Sequence, residues 1–402
     1  MKSTLSLACS SGSSEREIIF GKPYIGNEEI DEVVATLRSG WVGTGQKVLD
    51  FEKRFCEYCA VKHSIALSSC SAALHLALIA AGVGEGDEVI TTPMTFAATA
   101  NAIVHQGAKP VFVDVRRETM TIDAQQIEQA ITPRTKAILP VDMAGRPCDF
   151  DAIMDLAKRN HIIVIEDAAH AVEAWYQGRK IGSVANLTTF SFYATKSICT
   201  AEGGMLTTDS EEYAETARRY QLHGLTKDAW RRYASGGQPF YDVVVPGYKY
   251  NMTDIQAALG VHQLARVERN WAVRSSYWKL YDEGLDNVPG LVRALAPLPT
   301  ESRHALHLYT IFVDHHNPEL FRTNFVSEMR TRGIGTGVHY LPLHLSYFYR
   351  NTYGYRPGDY PEAEWLGSRT VSLPLTAAMT KEDVMRVIMT TIESLAVARR
   401  RS

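Results

Sequence analysis

The chain has 402 residues, of which 45% are hydrophobic and 22% charged, with 28 Gly and 16 Pro. That composition is ordinary for a globular protein and excludes collagen-like, coiled-coil and largely disordered chains. The 42 Lys and Arg nearly balance 45 Asp and Glu, and a formal charge of -3 gives no global attraction to nucleic acid or anionic lipid, so any anion site has to be local.

At roughly 150 residues per domain, the length predicts two or three domains, or one large α/β domain with an appendage. Residues 1–17 contain too few apolar residues for the core of a secretory signal and read as a flexible tail. No window reaches the ~18 uninterrupted apolar residues of a membrane span. Six cysteines (Cys9, Cys56, Cys59, Cys70, Cys148, Cys199) are scattered too widely for a disulfide framework, which suits a reducing cytoplasm. Cys56 and Cys59 form a CxxC with no second pair to complete a zinc set, and LDFEKRFCEYCAV reads as an amphipathic helix.

NEEIDEVVATLRSG (27–40) predicts a helix closed by Gly40. Strands and helices then alternate: SIALSS (64–69) before AALHLALIAAGV, DEVITTP (87–93) before FAATANAIVHQG, then PVFVDV (110–115), TKAILPVDM, HIIVIEDAA and TTFSFY. Near-continuous β-branched runs mark strands buried on both faces. The expected fold is therefore α/β, a largely parallel mixed sheet sandwiched by helices. Residues 18–262 would form this large domain, with an arm over 18–45. From LHLYTIFVD through the closing helix KEDVMRVIMTTIESLA the texture changes, so residues 263–402 predict a smaller α+β domain.

Three spaced features carry chemistry. In SSCSAALHLAL (68–78) a strand passes directly into a helix, whose free N–H groups lie beside the Ser69 and Ser71 hydroxyls, as a phosphate requires. In IIVIEDAAHA (162–171) an apolar strand delivers Glu166 and Asp167 to its C-terminal end, with His170 three residues on. In TTFSFYATKSICTAEGGML (188–206) a polar loop carries Lys196, and a lysine with a lowered pKa can form a Schiff base with an aldehyde. Each feature alone also has a bland reading, as a serine N-cap, a helix-capping acid and a surface lysine. One ligand uses all three: pyridoxal 5'-phosphate needs a phosphate cup, a carboxylate for its ring nitrogen and a lysine for its aldehyde. Phe96, in PMTFAATAN, adds a ring able to stack on the cofactor plane. GxGxxG, GxxxxGK[ST], HExxH and GxSxG are absent, which disfavours nicotinamide and nucleotide-hydrolysing enzymes.

At these residues the chain resembles the DegT-type sugar aminotransferases, fold-type I pyridoxal-phosphate enzymes that aminate nucleotide-linked keto sugars. The resemblance runs from about Ile18 to the last helix, through AALHLAL, GDEVITTPMTF, GAKPVFVDV, AITPRTKAILPV, VIEDAAHA, FSFYATK, AEGGM and GYKYNMTDIQAAL. It implies that Lys196 holds the cofactor's aldehyde, Asp167 pairs with the ring nitrogen and His170 bonds the ring hydroxyl. It further implies that Ser71, Ala72 and Ser191 hold the phosphate, and that Asn251 reaches the neighbouring subunit's cofactor across a homodimer. Lys249, Arg231 or Arg232, and His339 with His344 are the candidates for substrate contact, through the nucleotide diphosphate. HGLTKDAWRRY, PGYKYN, GIGTGVHYLPLH and SRTVSLPL look most like the C4 aminotransferases of UDP-linked keto sugars, including the enzyme making UDP-4-amino-4-deoxy-L-arabinose. L-Glutamate, released as 2-oxoglutarate, is the implied donor. Phe96 where that enzyme typically carries Trp, and FYATK for FHAIK, leave the sugar open. The alternatives are C3 amination of a dTDP-keto sugar, a non-catalytic cofactor-binding regulator and a cofactor-free Schiff-base aldolase.

Overall fold

The computed structural model describes residues 16–225, 241–293 and 296–401. After helices α1 (Asn27–Ser39) and α2 (Gln46–Cys59), strands and helices alternate: β1 (His63–Leu67), α3 (Cys70–Ala80), β2 (Glu88–Thr91), α4 (Ala97–His105), β3 (Lys109–Phe112), α5 (Ala124–Ala130), β4 (Thr135–Ile138), α6 (Phe150–Asn160) and β5 (Ile163–Asp167). A short hairpin, β6 (Trp175–Tyr176) and β7 (Arg179–Lys180), precedes β8 (Leu187–Ser191), β9 (Gly204–Thr208) and α7 (Glu211–Gln221).

Seven of these strands form one sheet in the order β1-β9-β8-β5-β4-β2-β3. Only β9 runs against the others, pairing antiparallel with both β1 and β8. The remaining pairs are parallel. Helix α3 shows why both faces are covered. Its sequence CSAALHLALIA is apolar all round, and a helix of that kind belongs in the interior; Ala72 through Leu78 are all buried in it. Apolar clusters lie on both sides of the sheet, one built on Phe51, Phe55, Phe190 and Phe192, the other on α3.

Helices α8 (Asp254–Ala265) and α9 (Val267–Gly284) lead into a second unit, with a three-stranded sheet of β10 (Leu291–Val292), β11 (Tyr309–Val313) and β12 (Thr370–Leu373). Helices α10 (Pro318–Thr331), α11 (Tyr347–Tyr353), α12 (Pro361–Arg369) and α13 (Lys381–Arg401) complete it. Its core gathers Tyr281, Tyr309, Phe321, Phe325 and Ile388, and Ile18 joins them. Ile18 N–H donates to Gly333 O and its carbonyl accepts from Gly335 N–H, both at 2.9 Å. The arm, expected to belong wholly to the large domain, therefore starts on the C-terminal unit. Burying one isoleucine there is worth about 1.5–3 kcal/mol. No helix among the described residues is long and apolar enough to cross a membrane.

Candidate active site

Because β1, β2, β4, β5 and β8 point the same way, their C-terminal ends open on one edge of the sheet, where open α/β sheets bind ligands. A cavity of about 530 Å³ lies there, closed from the other side by the C-terminal unit. It brings together Ser69, Cys70 and Ser71 after β1, Phe96 and Thr99 at the start of α4, Asp167 and His170 at the end of β5, and Ser191 and Lys196 at the end of β8.

The helix end is built by the sequence around Ser69. This residue is the N-cap of α3, and its Oγ accepts from Ala72 N–H at 3.1 Å. The first N–H groups of a helix lack intrahelical partners, so Cys70 and Ser71 offer theirs to the cavity. Ala72, expected in the phosphate cup, lies beneath it instead. Its N–H is engaged by Ser69, it is buried, and it does not line the cavity. Gly204 explains how β9 passes so close. A Cβ there would sit 2.5 Å from the backbone carbonyl of Ser69, so only glycine fits. The second glycine of AEGGM thus lets β9 pass against the backbone at the start of α3.

Asp167 is buried, with Oδ2 accepting from Thr99 Oγ1 at 2.8 Å and Oδ1 from Ala169 N–H at 3.1 Å. Burial pushes its carboxyl up, opposed by those two donors and by Lys196. A carboxylate held this way calls for a cation on its cavity side, and a protonated ring nitrogen is one. Lys196 sits in a turn closed by its N–H to Tyr193 O at 2.8 Å. Burial lowers its amine to about 8, although Cys70 and Asp167 pull the other way. The amine is thereby kept partly neutral near physiological pH, as a nucleophile or proton carrier needs.

His170 is buried, and burial together with Lys196 and His307 pushes its pKa well down, so the ring is neutral. Its Nδ1 accepts from Ala144 N–H at 3.3 Å, which places the proton on Nε2, 3.3 Å from the Tyr340 hydroxyl. His307 packs against it with ring centroids 4.5 Å apart. His339 also lines the cavity, bonded through Nδ1 to Ser372 Oγ at 2.9 Å and stacked on Phe20. Burial lowers it to about 4. Phe96 is exposed at the rim, 5.9 Å from the Tyr340 ring. Ser191 ends β8 in the cavity wall.

The other candidates lie elsewhere. Lys249 Nζ donates to Asn251 Oδ1 at 2.7 Å, and Asn251 Nδ2 donates to Thr44 Oγ1 at 2.6 Å. Neither Lys249 nor Asn251 lines this chain's cavity. His344 is fully buried with Nε2 2.9 Å from Glu364 Oε1, and it does not line the cavity. Its expected contact with substrate is therefore corrected to a packing role between Glu364 and Tyr360. Arg231 and Arg232 fall outside the described residues. Sequence reasoning passed over Thr99, His307, Tyr340 and Phe20, which the fold brings in from distant segments.

A family model described as the DegT/DnrJ/EryC1/StrS aminotransferase family matches residues 23–392. The spore coat polysaccharide biosynthesis protein SpsC of Bacillus subtilis is 47% identical over 370 residues, 92% of this chain and 95% of its own. Spr1654 of Streptococcus pneumoniae, described as a sugar aminotransferase, has a TM-score of 0.88 at 35% identity in its PLP-form, covering 95% of this chain and 99% of that one. It has also been solved in a PMP-form. PseC of Helicobacter pylori, an aminotransferase involved in the biosynthesis of pseudoaminic acid, has a TM-score of 0.86 at 28% identity, covering 95% and 100%. With the family matched over nearly the whole chain and a similar enzyme solved in its PLP-form, the chain belongs to the DegT/DnrJ/EryC1/StrS family and is a pyridoxal-phosphate-dependent sugar aminotransferase.

Proposed function

We propose that this enzyme transfers the amino group of L-glutamate to C4 of a UDP-linked keto sugar, for amino sugars destined for surface polysaccharide or glycan. The observation that carries the catalytic part is the single cavity shared by the Lys196 amine, the Asp167 carboxylate and the N-terminus of α3. The choice of sugar rests on the likeness of residues 246–251, 333–344 and 368–375 to C4 aminotransferases, and the name of SpsC fits a role in polysaccharide biosynthesis.

Pyridoxal phosphate, when bound, supplies an electron sink that lets the Cα–H bond of an amino acid ionise. Ser71 and the N-terminus of α3, with Ser191 beside them, would hold its phosphate. Asp167 would keep its ring nitrogen protonated, and the Nε2–H of His170 would face the ring hydroxyl. Lys196 would act as the base that takes up the donor's Cα proton, and the same amine would serve the keto sugar in the second half-reaction. Phe20, Leu308, Tyr340, Leu373 and Leu375 add apolar surface to the cavity lining.

Among the described residues lining the cavity, Lys196 is the only Lys or Arg. A diphosphate and the donor's carboxylates need further positive charge. The exposed Lys249, held by the half-buried Asn251, fits that need in a homodimer, each chain presenting Lys249 to its partner's cavity. The test is to offer a panel of UDP- and dTDP-linked 4-keto and 3-keto sugars with L-glutamate and locate the new amine by NMR. Amination at C4 of a UDP sugar supports the reading. Amination confined to C3 of a dTDP sugar overturns it and leaves the aminotransferase assignment standing.

A further inference from the structure

A second acid pair lies behind Asp167 and has no part in the chemistry above. Asp142 follows β4, and Glu166 is the residue before Asp167 on β5. Both are buried, at 1% and 0% exposure. Asp142 Oδ2 and Glu166 Oε1 are shielded from solvent and lack a partner if both groups are carboxylates, yet the two side chains are within hydrogen-bond reach of each other. Two acceptors cannot bond, so the contact requires a hydrogen.

The other contacts decide where it sits. Glu166 accepts from Thr188 Oγ1 at 2.7 Å through Oε2, and also from the Gly182 N–H, a donor set suited to a carboxylate. Asp142 accepts from Cys148 N–H at 2.9 Å through Oδ1, which leaves Oδ2 free to carry a proton. We infer that Asp142 is a protonated acid whose Oδ2–H donates to the Glu166 carboxylate, and that this pair positions the His170 wall of the cofactor cavity.

The link to the cavity is short. Asp142 N–H donates to Asp167 O at 3.1 Å, and Asp167 N–H to Pro140 O at 2.9 Å. Asp142 also opens the turn Met143–Gly145, in which Ala144 and Gly145 both have positive φ, 58° and 97°. Alanine does not favour that conformation, so the surroundings must hold it. The same Ala144 donates its N–H to His170 Nδ1 and accepts from His307 N–H at 3.2 Å. Fixing Asp142 therefore fixes the donor that sets the His170 tautomer. The inference does not depend on which sugar is aminated.

Burial pushes the Asp142 acid well up and Glu166 up to about 7. The ionisable groups facing the pair are Cys148, with Asp149 beyond it, on one side, and Cys59 and Asp167 on the other. None of these is a cation that could replace the proton. Because the proton is held more tightly in the folded state, the stabilisation is present at lower pH and lost as pH rises through the pair's range.

The test uses the full-length protein, cofactor titration by absorbance, and the infrared spectrum of the apo form. Asp142→Asn keeps a donor facing Glu166 and an acceptor facing Cys148, without a titratable proton. At pH 7 its cofactor Kd should match wild type within about twofold, while Asp142→Ala weakens binding about tenfold, the usual size of a lost bond to a buried charge. Between pH 7 and about pH 9, wild type should weaken about tenfold more than Asp142→Asn. The carbonyl band of a protonated carboxylic acid should be present in wild type at pH 7 and lose intensity in Asp142→Asn. An unchanged infrared band in that variant, a Kd as poor as that of Asp142→Ala, or an identical pH dependence in wild type and Asp142→Asn would each overturn the inference. If Asp142→Ala does not fold, the infrared band and the wild-type-to-Asn comparison still decide.

Discussion

Thr99 offers the sharpest probe of how the chain tunes its cofactor carboxylate. Its Oγ1 donates to Asp167 Oδ2 at 2.8 Å and shares a 2.7 Å hydrogen bond with Thr95 Oγ1, and the residue is 1% exposed. Thr99→Val keeps the branched shape and deletes the donor. A hydrogen bond to a buried charge is worth about 1.5–3 kcal/mol, and one pKa unit corresponds to about 1.36 kcal/mol. The lost bond should therefore raise the Asp167 pKa by about 1–2 units, since Thr99 is the largest of the effects that lower it. A protonated ring nitrogen opposite the carboxylate takes up part of that charge, so the low end of the range applies. The expected outcome is a donor half-reaction about tenfold slower, with the acidic limb of its pH profile moved up by about one unit. Single-turnover absorbance with L-glutamate across pH measures both, alongside Thr99→Ser, which restores the hydroxyl. A valine variant with full rate and an unmoved acidic limb, or a serine variant no better than valine, would refute the reasoning.

Three further outcomes follow from the same geometry. Cofactor uptake by the apo-protein should speed up as pH rises through about 8, because burial lowers the Lys196 amine and only its neutral form attacks an aldehyde; a flat rate profile would contradict this. His344→Ala should lower stability by about 2–5 kcal/mol through the cavity left by its fully buried ring, while Glu364 keeps the Gly358 N–H, and leave both Michaelis constants unchanged, as denaturant titration and steady-state kinetics would show. If Lys249 and Asn251 serve the partner's cavity, mixing inactive Lys196→Ala dimers with inactive Asn251→Ala dimers under subunit exchange should regain activity in hybrids, whereas no recovery would place both functions in one chain.

The parts of the site that the sequence makes legible are those coded within one strand-to-helix passage. β5 reads as buried on both faces because IVI is continuously apolar, so two acids at its end stand out. Ser69 and Ser71 at the start of α3 and Lys196 after β8 are legible for the same reason, each lying within a few residues of a recognisable strand end. What was not legible depends on distant segments meeting. Thr99 and Asp167 are 68 residues apart, Tyr340 and His170 are 170 apart, and neither threonine nor tyrosine is unusual in its local setting. His344 looked available because a histidine between two leucines gives no sign of the distant glutamate that pairs with it. Ile18 reads as part of an arm, and only its pairing with the Gly333–Gly335 backbone shows which unit it serves.

The central claim is that Lys196 is the residue that holds pyridoxal phosphate. Lys180 is the natural control, because burial lowers its amine to about 8 as well, while Tyr58 at 2.7 Å and Glu268 at 3.3 Å occupy it. The holoenzyme should be reduced with borohydride, digested and mapped by mass spectrometry. The account predicts one modified peptide, carrying the cofactor on Lys196. Cofactor recovered on Lys180 or any other lysine, with Lys196 unmodified, would contradict it.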